Sequence, residues 1–445
     1  MGDKSGNNVS RRHFLGSAGA AGILSGVASA SLSRRAQARS KTLRILRWKH
    51  FVPGYDVWHN DSFIKEWGEK NDTEVIVDNV GLGEISSLAS AEAKAQAGHD
   101  LVLFLAPPPI HEDHVIDHRE IYEECGRRYG NAADFAIRSS YNPRTDKYYA
   151  FCDGYAPAVA YYRKDLWDPL GGAPSSWDDV LAGGRKIKFL NDASVGISLA
   201  AEHNSNYSLR TLMYAFGASV QDAGNRLALN SKETVEALKF VKALYQETMT
   251  SDVLNWDPPS NNRFMLAGDG SFTVDTLSIA RAAEAKNLPV DEGLALASLP
   301  EGPAGRIGTS FSLYTYVIWK FAANIDGAMR FLVDLIGESP AALKASGFQN
   351  MPSFPGAVPD LADILSNDPA KPERYRVLAD VPDITTNLGH PGYANAAIDE
   401  VYGEGLIPKM FALAATGKMS PEEAAAQAEQ QARGIFEKWR EAGKV

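Results

Sequence analysis

The chain has 445 residues, 44% of them hydrophobic, with 45 basic against 55 acidic side chains and a formal net charge of −10. That acidity argues against nucleic acid or an anionic membrane surface as partner, because both need neutralising cations. Single hydrophobic cores stop growing beyond about 250–300 residues, so a chain this long is expected to form two lobes.

The N-terminal stretch reads as an address. Ser10-Arg11-Arg12-His13-Phe14-Leu15 leads into a weakly apolar run from Phe14 to Leu32, rich in Gly, Ala and Ser, and then into Ala36-Gln37-Ala38. A basic region, an apolar region and a small-residue cut site, in that order, make an export signal over residues 1–38. The paired arginines resemble the bacterial twin-arginine signal, which implies a periplasmic destination. The glycines and serines make Phe14–Leu32 a poor spanning helix, and no later segment has the length and apolarity of one. The lead peptide has no cysteine to carry a lipid, so a soluble chain without membrane anchor is expected. Cleavage after Ala38 removes five basic residues and one acidic, taking the net charge to −14. Cys125 and Cys152 both lie in the exported part, where a disulfide is permitted; the alternative is a pair of small buried thiols.

Thr42–Trp48 (TLRILRW) alternates and is rich in branched residues, which predicts the first strand. Asp56–Lys70 places Val57, Trp58, Phe63, Ile64 and Trp67 at helical spacing. Thr73–Val80 is a second strand, Gly81-Leu82-Gly83 turns into a helix over Glu84–Ala97, and Asp100–Leu105 is a buried strand. Alternating strands and helices point to an α/β layer with a mainly parallel sheet. Pro107-Pro108-Pro109 ends that run. Ala156–Tyr162 is a further strand. Ser176 with Asp179 forms a capping box for the next helix, and Ser231 starts another through Leu238, Val241 and Tyr245. Asp326–Ile336 packs Ala328, Phe331 and Leu335. Ser420-Pro421-Glu422-Glu423 caps a last helix running to about Glu441. The Pro- and Gly-rich stretches 351–360 and 387–393 read as surface loops. No internal repeat or low-complexity linker appears.

Several phrases resemble the bacterial solute-binding proteins of ABC importers, in the group that includes maltose- and other sugar-binding proteins. Tyr161-Tyr162-Arg163-Lys164-Asp165-Leu166-Trp167, then Gly171, Pro174 and Trp177-Asp178-Asp179, is similar to the passage by which a strand of that family crosses into the second lobe. Asn230-Ser231-Lys232-Glu233 with Ala237-Leu238 resembles its second-lobe helix, and Phe264 with Gly268 its F-x-x-x-G segment. Leu299-Pro300-Glu301-Gly302-Pro303-Ala304-Gly305 resembles its proline-glycine stretch. Asn324 with Ala328-Met329-Arg330-Phe331-Leu332 resembles the helix after it. The resemblance implies a two-lobe α/β fold, 41–156 plus 273–330 in one lobe and 157–272 plus 331–445 in the other, each a mainly parallel sheet flanked by helices. It implies ligand capture by hinge closure and delivery to an inner-membrane permease, by a monomer that needs no cofactor and does no chemistry.

A sugar or polyol offers flat C–H faces and a rim of hydroxyls, which call for aromatic plates and for Asp, Asn, His or Arg. Residues of that kind gather where strand ends should meet the cleft: Trp48, His50 and Tyr55; Asp153 and Tyr155; Trp256, Asn261 and Asp275; Ser310 and Tyr314. Carboxylates such as Asp153 and Asp275 would equally suit an amino compound. Trp58, Trp67 and Trp439 sit at helical spacing, as packing residues do, and Trp177 belongs to the structural passage. A different chemistry is offered by His111, His114 and His118, at i, i+3 and i+7 with Asp117 beside them, as metal ligands on one helical face. The order is not H-E-x-x-H, no G-x-S-x-G elbow appears, and Gly81-Leu82-Gly83 lacks the third glycine and the lysine of a phosphate loop.

Overall fold

A computed structural model describes residues 41–309, 312–368 and 371–445; the export signal and Ser310 lie outside the described residues. Among the described residues ten strands form the two main sheets, beside two two-stranded pairs. We number them β1 (Thr42–Trp48), β2 (Glu74–Val80), β3 (Leu101–Phe104), β4 (Phe151–Ala156), β5 (Val159–Arg163), β6 (Ser194–Val195), β7 (Gly270–Asp275), β8 (Leu294–Ala297), β9 (Ser312–Ile318) and β10 (Met351–Pro352). The first sheet has the order β10-β4-β9-β3-β1-β2 and the second β8-β5-β7-β6. Ile45, Leu46, Arg47 and Trp48 are all buried, because helices cover both faces of β1.

The α/β class holds, whereas the strand pairing is mixed. β1 pairs in parallel with β2 and β3, but β9 runs antiparallel to β3 and to β4. In the second sheet β5 is antiparallel to both neighbours and only β6 with β7 is parallel. Strands that arrive from the other sheet need no helical return, so nothing obliges them to run parallel. The segment 273–330 is divided between the sheets: Leu294–Ala297 pairs with β5, and Ser312–Ile318 lies between β3 and β4.

Helical spacing in the first lobe is realised as one long run, α from Pro53 to Trp58, a π turn at His59–Phe63 and α again to Lys70. Phe63 and Trp67 reach Phe331 of the helix Ile325–Gly337, with ring centres 5.2 and 5.3 Å away. Both predicted capping boxes are present. The Ser176 hydroxyl accepts from Asp179 N at 3.1 Å, and that of Ser420 from Glu423 N at 3.1 Å. The stretches expected as surface loops are instead buried in part. Met351 to Phe354 are inaccessible because β10 extends the first sheet at β4, and Asn387 and Leu388 lie under the helix His203–Ala215, where Tyr214 donates to Leu388 O at 3.2 Å. Cys125 and Cys152 are both free and fully buried.

Asp100 ties the first sheet to its helix layer. Its carboxylate accepts from Arg44 N on β1 at 2.8 Å and from Asn324 N at 3.0 Å, while Asn324 caps the helix at Gly327 N. Replacing Asp100 by Ala leaves the buried Asn324 N–H and the part-buried Arg44 N–H without their acceptor. Asp100→Ala is expected to lower the urea-unfolding free energy by about 3 kcal/mol, and a loss under about 0.5 kcal/mol would contradict this role.

Candidate functional site

The site is positioned by the crossing between the sheets. Ala156, the last residue of β4, pairs with Ser312, and Val159, the first of β5, pairs with Asp275. Strand directions then bring the ends of β1, β2, β3, β6, β7 and β8 to the same boundary: Trp48, Val80, Phe104, Val195, Asp275 and Ala297.

On the first-sheet side Trp48, His50, Tyr55 and Tyr314 form one aromatic cluster. Trp48 stacks on His50 with ring centres 5.0 Å apart and lies 6.2 Å from Tyr314; His50 stacks on Tyr55 at 4.5 Å. All four are buried, so their faces are turned to one another. His50 Nδ1 accepts from Val52 N at 3.0 Å and Nε2 donates to Asn350 Oδ1 at 2.8 Å. Burial lowers its pKa to about 4, so the ring is neutral near pH 7 and those two bonds set its tautomer. The Trp48 indole N–H has no partner among the described residues.

Asp153 stands in a β-bulge. Gly154 pairs with Tyr314 and Cys152 with Thr315, so Asp153 is the extra residue, and a bulge re-aims a side chain. Burial raises its pKa to about 7, against the pull of its backbone N–H neighbours and of Arg47. Arg47 is itself inaccessible, set over the Tyr55 ring at 5.1 Å and 3.3 Å from the Asp56 carboxylate. Tyr155 belongs elsewhere. It pairs with Leu313, so it faces the opposite side of the sheet from Tyr314 and packs on Phe135 at 4.7 Å in an apolar cluster.

On the second-sheet side Asn261 donates through Nδ2 to Asp275 Oδ2 at 2.7 Å, and Asp275 Oδ1 accepts from Thr276 N at 2.7 Å. Burial first, and the nearby Glu202 carboxylate as well, raise the Asp275 pKa to about 7. Trp256 lies against Phe264 at 5.2 Å and is seated on Gly196, where a Cβ would come within 2.9 Å of both rings. Gln349 joins the two sides: its Oε1 accepts from Leu277 N at 3.2 Å, and its carbonyl accepts from Tyr314 Oη at 3.5 Å.

The histidine cluster does not assemble. Pro109–His114 is a 3-10 helix and His118 lies beyond it, at the cap of the helix Arg119–Tyr129, so the three side chains share no face. His118 Nδ1 bonds Tyr148 O and Nε2 accepts from Ile318 N, both at 3.0 Å; His111 stands edge-on to Trp319. Among the described residues no group of His, Cys, Asp and Glu is placed to hold a metal ion. Trp177 and Trp67 are core residues, and Trp67 and Trp439 donate to Asp334 and Glu400. A groove of about 490 Å³, lined by Leu254, Met410, Leu413 and Ala428 among others, lies between the last two helices and shares no residue with either cluster.

Four contributors had no sequence signal strong enough to single them out: Arg47, Glu202, Gln349 and Asn350. Arg47 had the clearest, a charged residue in a strand otherwise buried. Glu202 caps the helix His203–Ala215, accepting from Asn204 N and Ser205 N at 2.6 and 2.7 Å.

Residues 130–338 match the model of the family described as bacterial extracellular solute-binding protein. A binding protein of Brucella abortus (strain 2308) is 25% identical over 184 residues, 39% of this chain and 42% of that one. An ABC transporter-binding protein of Deinococcus radiodurans is 21% identical over 200 residues, 42% and 48% of the two chains. The chain thus spans less than half the length of these curated relatives. Among solved structures, T. maritima MalE3 with maltose bound superposes with a TM-score of 0.72 at 17% identity, covering 88% of this chain and 99% of that one. An oligosaccharide periplasmic-binding protein from Synechococcus sp. MITs9220, in complex with zinc, gives 0.74 at 16%, covering 89% and 100%. A solute-binding protein from Agrobacterium radiobacter K84 with ribitol gives 0.69 at 14%, covering 89% and 98%. At such identities the likeness is one of fold, and that fold is the two-lobe periplasmic binding protein architecture expected from the sequence.

Asp275 supplies a pH test. A buried carboxyl whose folded pKa lies above its unfolded value of about 4 stabilises the fold below that value, and the contribution is lost as pH rises through about 7. Asp275→Asn, with the Asn261 amide free to flip, is expected to flatten the fall in stability between about pH 4 and 7, by on the order of 2 kcal/mol. Urea denaturation at stepped pH checks it, and an unchanged slope would contradict it.

Proposed function

We propose that this chain, a bacterial extracellular solute-binding protein by its family match, is the periplasmic capture component of an ABC importer for a small polar solute, a sugar or polyol. The lobes carrying the two sheets close on the solute by hinge rotation about the crossings, of which Ala156–Val159 is the shortest. The closed form is handed to an inner-membrane permease, and the binding protein does no chemistry. Export by the twin-arginine route delivers it to that compartment. Among the described residues no helix is long and apolar enough to cross a membrane.

The observation that carries this reading is the convergence of Trp48, His50, Tyr55 and Tyr314 from one sheet and Trp256, Asn261 and Asp275 from the other on the boundary at that crossing. Trp256, half-buried near the hydrogen-bonding pair Asn261 and Asp275, suits a ligand with C–H faces and hydroxyls, and the packed cluster around Trp48 backs the opposite side. The solved neighbours with maltose and ribitol support the choice of ligand class.

Thermal denaturation against sugars, polyols and amines tests it. A ligand that binds only the folded form at one hundred times its Kd adds about 2.7 kcal/mol of apparent stability. A sugar or polyol is expected to raise the Tm, and Trp256→Ala to cut its affinity at least tenfold. An amine as the sole hit, or a sugar hit indifferent to both Trp256→Ala and Trp48→Ala, would overturn this assignment.

A further inference from the structure

Among the described residues five arginines have buried or largely buried side chains, and four of them have a carboxylate at hand, Arg163 with Asp165 at 2.6 Å among them. Arg47 lies 3.3 Å from Asp56; Arg374 lies 3.0 Å from Glu284 and 2.5 Å from Asp291; Arg281 lies 2.8 Å from Glu284 and 3.1 Å from Asp368. Arg210 is the exception. It is 1% exposed, yet among the described residues no carboxylate comes within ion-pair distance, and its Nε and Nη2 have no hydrogen-bond partner. Its guanidinium is held between the rings of Tyr207 and Tyr402, 4.8 and 4.6 Å from their centres. Contact with the two ring faces and a hydrogen bond with Tyr402 offset part of the cost of burying the cation, without meeting the needs of Nε and Nη2.

Among the described residues no carboxylate acts as a counter-charge to Arg210. Tyr207, Tyr214 and Tyr402 are its polar neighbours, and Glu202 is engaged by the helix N-terminus one face away. Burial and the Arg210 charge lower the pKa of His203 to about 4. Asp399 acts on Tyr207 and Tyr149 rather than on Arg210, and burial raises its own pKa to about 7.

The location is the cleft boundary. Arg210 stands on the helix that follows β6 and starts at His203, and Tyr207 one turn earlier is hydrogen-bonded to Ser312, where β9 meets the crossing. On the hinge-closure reading above, parting of the lobes would break the Tyr207–Ser312 hydrogen bond beside the guanidinium.

We propose that Arg210, framed by Tyr207 and Tyr402, is the recognition site for an anionic group on the solute, a carboxylate or a phosphate. The inference rests on the solute-binding reading above and narrows its sugar class to acidic derivatives. The planar guanidinium fork presents Nε–H and Nη2–H side by side, the pair that a carboxylate or phosphate engages with two parallel bonds. The tyrosine plates hold the fork in place before the ligand arrives, which lowers the ordering cost of binding.

Calorimetric titration of the full chain with galactose, D-galacturonate, glucose and glucose 6-phosphate tests the proposal. Galacturonate or glucose 6-phosphate is expected to bind at least tenfold more tightly than its neutral parent, and which of the two does so separates the carboxylate from the phosphate source. Arg210→Gln is expected to abolish the preference. Arg210→Lys keeps the charge without the fork and should retain part of it; it also provides a second variant if the glutamine substitution unfolds the chain. Neutral sugars binding as well as their acidic derivatives would overturn the anionic site and leave the sugar reading standing. A preference that survives Arg210→Gln would overturn it too, by placing the anion elsewhere. No binding in any arm would overturn both.

Discussion

The rest of the cleft depends on two backbone pairings set close together, Ala156 with Ser312 and Val159 with Asp275. Pro157 lies between them and has no N–H, so neither ladder can run on into the other. One chain therefore leaves the first sheet and founds the second within a few residues. The strands paired to it carry Tyr314 and Asp275 to the same boundary. Because both ladders are buried, a one-residue slip would turn apolar side chains out of a core, and the register is correspondingly firm.

Around that boundary the protein buries polar groups that burial alone disfavours. Asp153 and Asp275 are both raised to about 7, one in a bulge and one at a strand end, while His50 is held neutral by the same desolvation. Each has hydrogen-bonding neighbours that limit the cost without removing it. Atoms on Arg47, Trp48, Asn261 and Arg210 have no hydrogen-bond partner among the described residues. Buried polar groups left without partners are features of functional sites more than of cores packed for stability alone.

Much of the fold was legible. Ser176 with Asp179 and Ser420 with Glu423 are local devices, readable because a cap and its third residue are neighbours in sequence. The first strands and the helix around Trp67 followed from periodicity in the same way. Mixed pairing was not legible, since periodicity records which face is buried and says nothing of strand direction. The stretch 351–360 misled for a related reason. Proline and glycine mark a turn, but Met351–Phe354 is buried only because a strand two hundred residues earlier offers an open edge.

The sequence by itself determined the α/β class, the helix caps, an expected export address and the residue types that gather at strand ends, all consequences of neighbours and spacing. Tertiary structure decided which of those residues meet. It joined Trp48 to His50 and Asn261 to Asp275, and turned Tyr155 to the other face of its sheet. It also separated His111 from His118 by ending a helix early. It alone showed that Arg210 is buried without a carboxylate, because the absence of a counter-charge depends on every element packed around the guanidinium and not on its own helix.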